Sequence, residues 1–121
     1  SMAAIRPLTK IPAYSSSKAA INSFTRWLSV YMVKEYSINI RVNAISPGFF
    51  IGKQNRYLLI DKDTGNLTKR GKSIIENTPM GKFGEPKQLI STVVWLLSDH
   101  SDFVTGVLIP VDGGFDAFGG V

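Results

Sequence analysis

The stretch "INIRVNAISPG", residues 38–48, decides the fold of this 121-residue chain. Ile38, Ile40, Val42 and Ala44 alternate with Asn39, Arg41 and Asn43, and β-branched residues dominate the apolar positions. Period-two alternation closed by Pro47-Gly48 predicts a strand that runs into a turn. Upstream, Ile21, Phe24, Leu28, Tyr31 and Met32 recur at helical spacing between Ser15 and about Glu35, and Ala19, Ala20 and Trp27 widen the apolar surface. That pattern predicts a long helix with much to bury. Downstream, residues 49–72 mix apolar and charged side chains around a turn signal at Asp63-Thr64-Gly65. One or two short helices are expected there, the second continued by "KSIIEN" at 72–77. Pro79, Gly81, Gly84 and Pro86 then break the chain. "EPKQLISTVVWLLSD", 85–99, reads as a helix with Pro86 near its first position and Leu89, Val93, Leu96 and Leu97 on one face. "GVLIPVDGG", 106–114, reads as a short buried strand closed by a double glycine, and "FDAFGGV" as a C-terminal tail.

The order helix, strand, excursion, helix, strand points to an α/β fold with a parallel sheet. A parallel strand needs neighbours on both sides and helices over both faces, which two strands cannot supply. The sequence therefore reads as the second half of a domain. Residues 1–121 form one unit, interrupted by the excursion at 49–85.

Composition narrows the chemistry. A chain that is 44% hydrophobic and 19% charged is ordinary for a soluble globular protein. The lack of cysteine excludes disulfides, thiolate zinc sites and cysteine nucleophiles. One histidine, His100, leaves little for a multi-histidine metal site or a serine/histidine/acid hydrolase, so no metal site is expected. His100 with Asp99 and Asp102 reads as solvated loop, and Trp27 and Trp95 as core or subunit contact. The net charge of +5 is spread along the chain without a basic block, which speaks against nucleic-acid binding. The longest strongly apolar run, "VVWLL" at 93–97, is far short of the ~20 residues of a membrane span. No signal peptide opens the sequence, and a cytoplasmic location is expected.

What remains for catalysis is Tyr, Lys, Ser, Asn and carboxylates. Tyr14 and Lys18 stand four apart at the front of the long helix, on one helical face and roughly 6 Å apart. Tyrosine, with an ordinary pKa of about 10, is a poor proton donor or acceptor at neutral pH, and a neighbouring ammonium favours its ionised form. Such a pair can exchange a proton with an alcohol or a ketone. With four tyrosines and nine lysines in the chain, the offset arises by chance roughly three times in ten, so spacing alone decides nothing.

The surroundings decide more. "YSSSK" at 14–18 followed by "AAINSFTRWLS", then "RVNAISPGF" at 41–49, "FGEPKQLISTVVWLLSD" at 83–99 and "FVTGVLIPVDGG" at 103–114 together resemble the short-chain dehydrogenase/reductase family. The resemblance covers essentially the whole chain. It implies the C-terminal half of a Rossmann-type, doubly wound parallel sheet with a helical substrate lid, and NAD or NADP as cofactor. Catalytic roles are then expected for Ser1, thirteen residues before Tyr14, as the residue that holds the substrate carbonyl or hydroxyl. Tyr14 would be the general acid/base, and Lys18 would tune Tyr14 and hold the nicotinamide ribose hydroxyls. Pro47, Gly48, Phe49 and Ile51 would line the nicotinamide. Gly52 stands where the family usually has threonine, a departure at one of the expected cofactor contacts. The family's glycine-rich turn, its NAD/NADP-selecting residue and its catalytic asparagine have no counterpart in residues 1–121.

The lid sequence at 49–85 is polar and cationic, with Gln54, Asn55, Arg56, Lys69 and Arg70. It suits a polyhydroxylated anion, and Arg56 could pair with a carboxylate through its planar fork. Gln54, Asn55 and Arg56 join Ser1 as expected substrate contacts. "FFIGKQNRYLL", "TPMGKFGEP" and "DGGFDAFGGV" resemble the branch of the family that interconverts D-mannonate and D-fructuronate. Gluconate 5-dehydrogenase-like and 3-oxoacyl carrier-protein reductase-like members share the general motifs, and a silent subunit-interaction fragment is a further alternative. The resemblance also implies a homo-oligomer, a dimer or tetramer, in which the long helix packs against its counterpart.

Overall fold

The computed structural model of the chain describes residues 1–8 and 10–120. Its long helix, α1, spans Pro12–Glu35 and starts three residues before Ser15. Proline is at ease in a first helical turn, where its missing N–H would have had no partner. The strand β1 is Ala44–Pro47, and it pairs in parallel with β2, Leu108–Val111, with Ala44 opposite Leu108 and Pro47 opposite Val111. Between them lie α2 (Arg56–Leu59), α3 (Lys69–Glu76) and α4 (Ile90–Leu97). Short 3₁₀ turns occupy Met2–Ala4, Pro86–Leu89 and Asp99–Ser101.

The predicted strand beginning at Ile38 is shorter than its alternation suggested. Ile38 is 80% exposed and lies in a turn with Asn39, and regular pairing starts only at Ala44. Among the described residues the sheet has two strands, so the outer half of the alternating stretch lacks a ladder partner. Side chains secure the approach to β1 instead. The Asn43 amide donates to the Val104 carbonyl at 2.8 Å, and its oxygen accepts the Val107 N–H at 3.2 Å. Arg41 donates to the carbonyls of Leu96 (2.7 Å) and Ser98 (3.2 Å), which covers carbonyl groups left open at the end of α4. The helix predicted over 85–99 is also divided. A 3₁₀ turn follows Pro86, fastened by a capping box between Glu85 and Gln88, and the α-helix proper begins at Ile90.

The excursion at 49–85, expected to hold one or two short helices, holds two. Thr68 joins them, because its hydroxyl accepts from the Gly71 N–H at 3.0 Å and donates to the Leu58 carbonyl at 2.7 Å. A Cβ on residue 71 would stand 2.3 Å from the Leu59 carbonyl oxygen, so only glycine lets α3 approach α2 this closely. Leu59 and Ile74 are buried at that crossing.

Burial departs most from the sequence pattern. The residues of α1 that are buried are Ser15, Thr25 and Ser29, while Ile21, Phe24, Trp27 and Val30 remain about half exposed. No residue of α4 is buried, and β2 is half-buried rather than buried. The accessible surface is 8484 Å² for 13.3 kDa, roughly 2,000 Å² more than the ~6,500 Å² usual for a folded monomer of that mass. The apolar faces read from the periodicity are real, and they face outward in this chain.

Candidate active site

The front of α1 and the 3₁₀ turn before it bring Ser1, Tyr14 and Lys18 together. Ser1 caps that turn, its hydroxyl accepting the Ala3 N–H at 3.3 Å. The Tyr14 hydroxyl donates to the same oxygen at 3.4 Å, long for a hydroxyl pair. The Lys18 ammonium lies 5.4 Å from the centre of the Tyr14 ring. Among the described residues Lys18 forms no ion pair, so its charge is available to a ligand. Tyr14 is 45% exposed, which leaves its hydroxyl reachable.

Two anchors tie this group to the sheet. Met2 is 2% exposed, and its sulfur accepts the hydroxyl of Ser46, itself 1% exposed, at 3.9 Å. Ser46 immediately precedes Pro47, so the turn carrying Ser1 rests on the strand that delivers Pro47-Gly48. The second anchor is Arg6, whose guanidinium grips Asp116 in the C-terminal tail. Nothing local in the sequence signals that contact, because 110 positions separate the two residues.

At the end of β1, the Gly48 N–H donates to the Val111 carbonyl at 3.0 Å. A Cβ on residue 48 would stand 2.7 Å from Cα of Asp112, so the missing side chain permits the loop to close over the end of β2. Phe49 packs edge-on against Phe115, with centroids 5.1 Å apart. The Ile51 N–H donates to the Gly84 carbonyl at 3.2 Å. A cavity of about 360 Å³ opens beside this loop, lined by Phe49, Phe50, Met80, Lys82, Phe83 and the 110–114 turn. Ser1, Tyr14 and Lys18 do not line it; they stand on an open face.

The three expected lid contacts separate into two kinds. Gln54 and Arg56 are exposed at the start of α2. Asn55 is engaged within its own loop, its oxygen accepting the Gly52 N–H and its amide donating to the Phe50 carbonyl, both at 2.8 Å. In this structure it holds the loop after Gly48 in shape, an internal role that its polarity alone did not reveal. Lys69 and Arg70 begin α3 as exposed side chains.

Comparison with known proteins agrees with this fold. Residues 1–116 match a family model described as enoyl-(acyl carrier protein) reductase. The chain is 52% identical over 122 residues to UxuB, an uncharacterized oxidoreductase of Bacillus subtilis, covering all of this chain and 42% of UxuB. A Haemophilus influenzae crystal structure, provisionally named a D-mannonate oxidoreductase and holding NAD, superposes with a TM-score of 0.90 at 52% identity, over 99% of this chain and 42% of that one. An Agrobacterium tumefaciens structure, provisionally named a 2-deoxy-D-gluconate 3-dehydrogenase and holding NADP, gives a TM-score of 0.83 at 27% identity, over 98% of this chain and 44% of that one. The chain thus spans somewhat under half the length of the relatives it matches. With its parallel β1–β2 pair and its motifs in the same order, it is a Rossmann-type α/β segment and belongs to the short-chain dehydrogenase/reductase family.

Proposed function

We propose that the protein containing this chain is an NAD- or NADP-dependent oxidoreductase that interconverts a secondary alcohol and a ketone on a sugar acid, with D-mannonate and D-fructuronate as the pair. The observation that carries this reading is the grouping of Ser1, Tyr14 and Lys18, with two hydroxyls 3.4 Å apart and a cation beside them. Ser1 accepts or donates a hydrogen bond at the substrate oxygen and fixes its position. The Tyr14 hydroxyl gives a proton to that oxygen as a ketone is reduced, and takes it back in the oxidation. Lys18 places positive charge next to the phenol and offers N–H donors to the ribose hydroxyls. The bound cofactor supplies or accepts the hydride.

The residues present fit such a cofactor. Among the described residues Lys18 is free of an ion pair, and the contact of Gly48 with Asp112 holds the Pro47-Gly48 loop at the strand end. Pro47, Gly48, Phe49 and Ile51 form the nicotinamide side. Gln54 and Arg56 are the substrate contacts, Arg56 opposite the carboxylate, and Asn55 shapes their loop. The exposed apolar face of α1 supports a homo-oligomer, and a cytoplasmic location is part of the same proposal.

The direct test is oxidation of NADH and NADPH by the intact protein with D-fructuronate, 5-ketogluconate and an acetoacetyl thioester side by side. Preferential turnover of D-fructuronate is expected. Turnover of 5-ketogluconate alone would move the substrate to the gluconate type, and turnover of the thioester alone to the acyl-carrier type.

A further inference from the structure

Ser1 does not sit on a long helix or on a strand, yet the reaction needs its hydroxyl at a fixed distance from that of Tyr14. What fixes it is traceable. The segment from Ser1 to Arg6 is one hydrogen-bonded turn, with the Ala4 N–H on the Ser1 carbonyl (3.0 Å) and the Ile5 and Arg6 N–H groups on the Met2 carbonyl (3.0 and 2.9 Å). A shift at Arg6 is therefore transmitted to Ser1. Arg6 in turn donates from Nε to the Asp116 carbonyl at 2.8 Å and to its carboxylate at 3.0 Å, and Nη2 also donates to that carbonyl.

The seat of this fork is rigidly built. Both carboxylate oxygens of Asp112 are used within the turn, one accepting the Gly114 N–H at 3.0 Å and the other the Asp116 N–H at 2.8 Å. Asp112 follows the last residue of β2 and lies against Gly48. The turn that holds Arg6 therefore grows from the strand end that also holds the Pro47-Gly48 loop. The pair is partly solvated, with the Arg6 and Asp116 side chains 49% and 29% exposed, so its charge attraction contributes little to stability. Its effect is geometric, because a planar guanidinium gripping two acceptors on one residue fixes orientation in a way an ammonium does not.

We propose that Arg6 is a positioning residue: clamped to the Asp112–Asp116 turn, it sets the separation of the Ser1 and Tyr14 hydroxyls and registers Ser1 against the Pro47-Gly48 loop. This rests on the reading of Ser1 as a substrate contact.

The test uses the intact protein with Arg6→Met, Arg6→Lys, Asp116→Asn and Ser1→Ala, assayed on whichever ketone of the panel above the wild type reduces fastest. NADH affinity is measured alongside by fluorescence, and crystal structures of the two Arg6 variants are solved. Misplacing a reacting group by an ångström costs up to ~100-fold. Arg6→Met should lower kcat about tenfold or more with NADH affinity unchanged, and Arg6→Lys should not restore it. Asp116→Asn should lose less than about threefold, since the main-chain carbonyl that Arg6 grips remains. Both Arg6 crystal structures should show the two hydroxyls further apart than in the wild type.

Full turnover in Arg6→Met beside a collapse in Ser1→Ala would overturn the clamp, as would full rescue by lysine, which would mean charge rather than orientation. Joint loss of NADH affinity and kcat in both Arg6 variants would make Arg6 a folding residue and overturn it too. Full activity in Ser1→Ala would instead remove the reading beneath it, and an unchanged hydroxyl separation in the Arg6 variants would count against the clamp on its own.

Discussion

Gly48 lies so close to Asp112 that a Cβ on residue 48 would stand 2.7 Å from both Cα and Cβ of Asp112. Real Cβ contacts are not that short, so the loop after β1 and the turn after β2 can meet only if residue 48 has no side chain. Gly48→Ala should therefore force the two apart and destabilise the intact protein by about 1–3 kcal/mol, the usual cost of overpacking. Urea unfolding measures this, and a change within about 0.5 kcal/mol would show that the backbone yields freely.

Asn55 bridges Gly52 and Phe50 with two 2.8 Å hydrogen bonds, and both would vanish in Asn55→Ala. A loss on the order of 1–2 kcal/mol is expected, together with faster hydrogen exchange at the Gly52 amide. Asn55→Asp keeps the acceptor for Gly52 and loses the donor to Phe50, so it should retain most of that protection. Equal protection in all three proteins would remove Asn55 from the loop's support.

The Asp61 carboxyl is held below its ordinary value of 3.8, first by the Thr64 backbone N–H and then by the Thr64 hydroxyl. A depressed folded pKa gives stability that is present above the unfolded value and is lost as the pH falls through the folded one. The turn at 61–66 should accordingly loosen only on the acid side of pH 3.8, and Asp61→Asn should abolish that acid dependence. Following the Gly65 amide by NMR from pH 6 to pH 2 checks both statements, and an identical acid response in the asparagine variant would exclude Asp61 as its source.

The open face of α1 carries a ring ladder, with Phe24 to Trp27 at 5.8 Å and Trp27 to Tyr31 at 4.9 Å, and Trp27 is 55% exposed. If this face packs against a second subunit, Trp27→Glu places a charge in an apolar contact and should shift the intact protein toward smaller species. Equilibrium sedimentation reads the result directly. A wild type that is monomeric throughout would contradict the homo-oligomer.

Much of the fold was legible in residues whose partners are close in sequence. Pro86 announced a helical start, and Asp63-Thr64-Gly65 announced a turn, because each signal is local in sequence. Boundaries were less legible where partners are remote. Ile38 and Ile40 alternate as a strand should, but pairing depends on a neighbour that the described residues do not supply, so β1 begins at Ala44. The apolar stripe of α1 reads as a face to be buried, yet it stays exposed in this chain while Ser15, Thr25 and Ser29 face inward. In the candidate site, the Tyr14–Lys18 spacing was visible directly, whereas Ser1 was reached only through family resemblance. Arg6 and Asp112 were missed because their contacts join the two ends of the chain or lie within a turn whose purpose shows only when folded.

The proton-transfer role of Tyr14 is the claim on which the rest depends, and Tyr14→Phe in the intact protein tests it most directly, because the ring stays and the hydroxyl goes. Steady-state reduction of the preferred ketone should fall by about 10²–10⁴-fold in kcat, the contribution of a positioned general acid, while NADH affinity measured by fluorescence stays within about twofold. A phenylalanine variant with wild-type kcat would contradict Tyr14 as the acid/base.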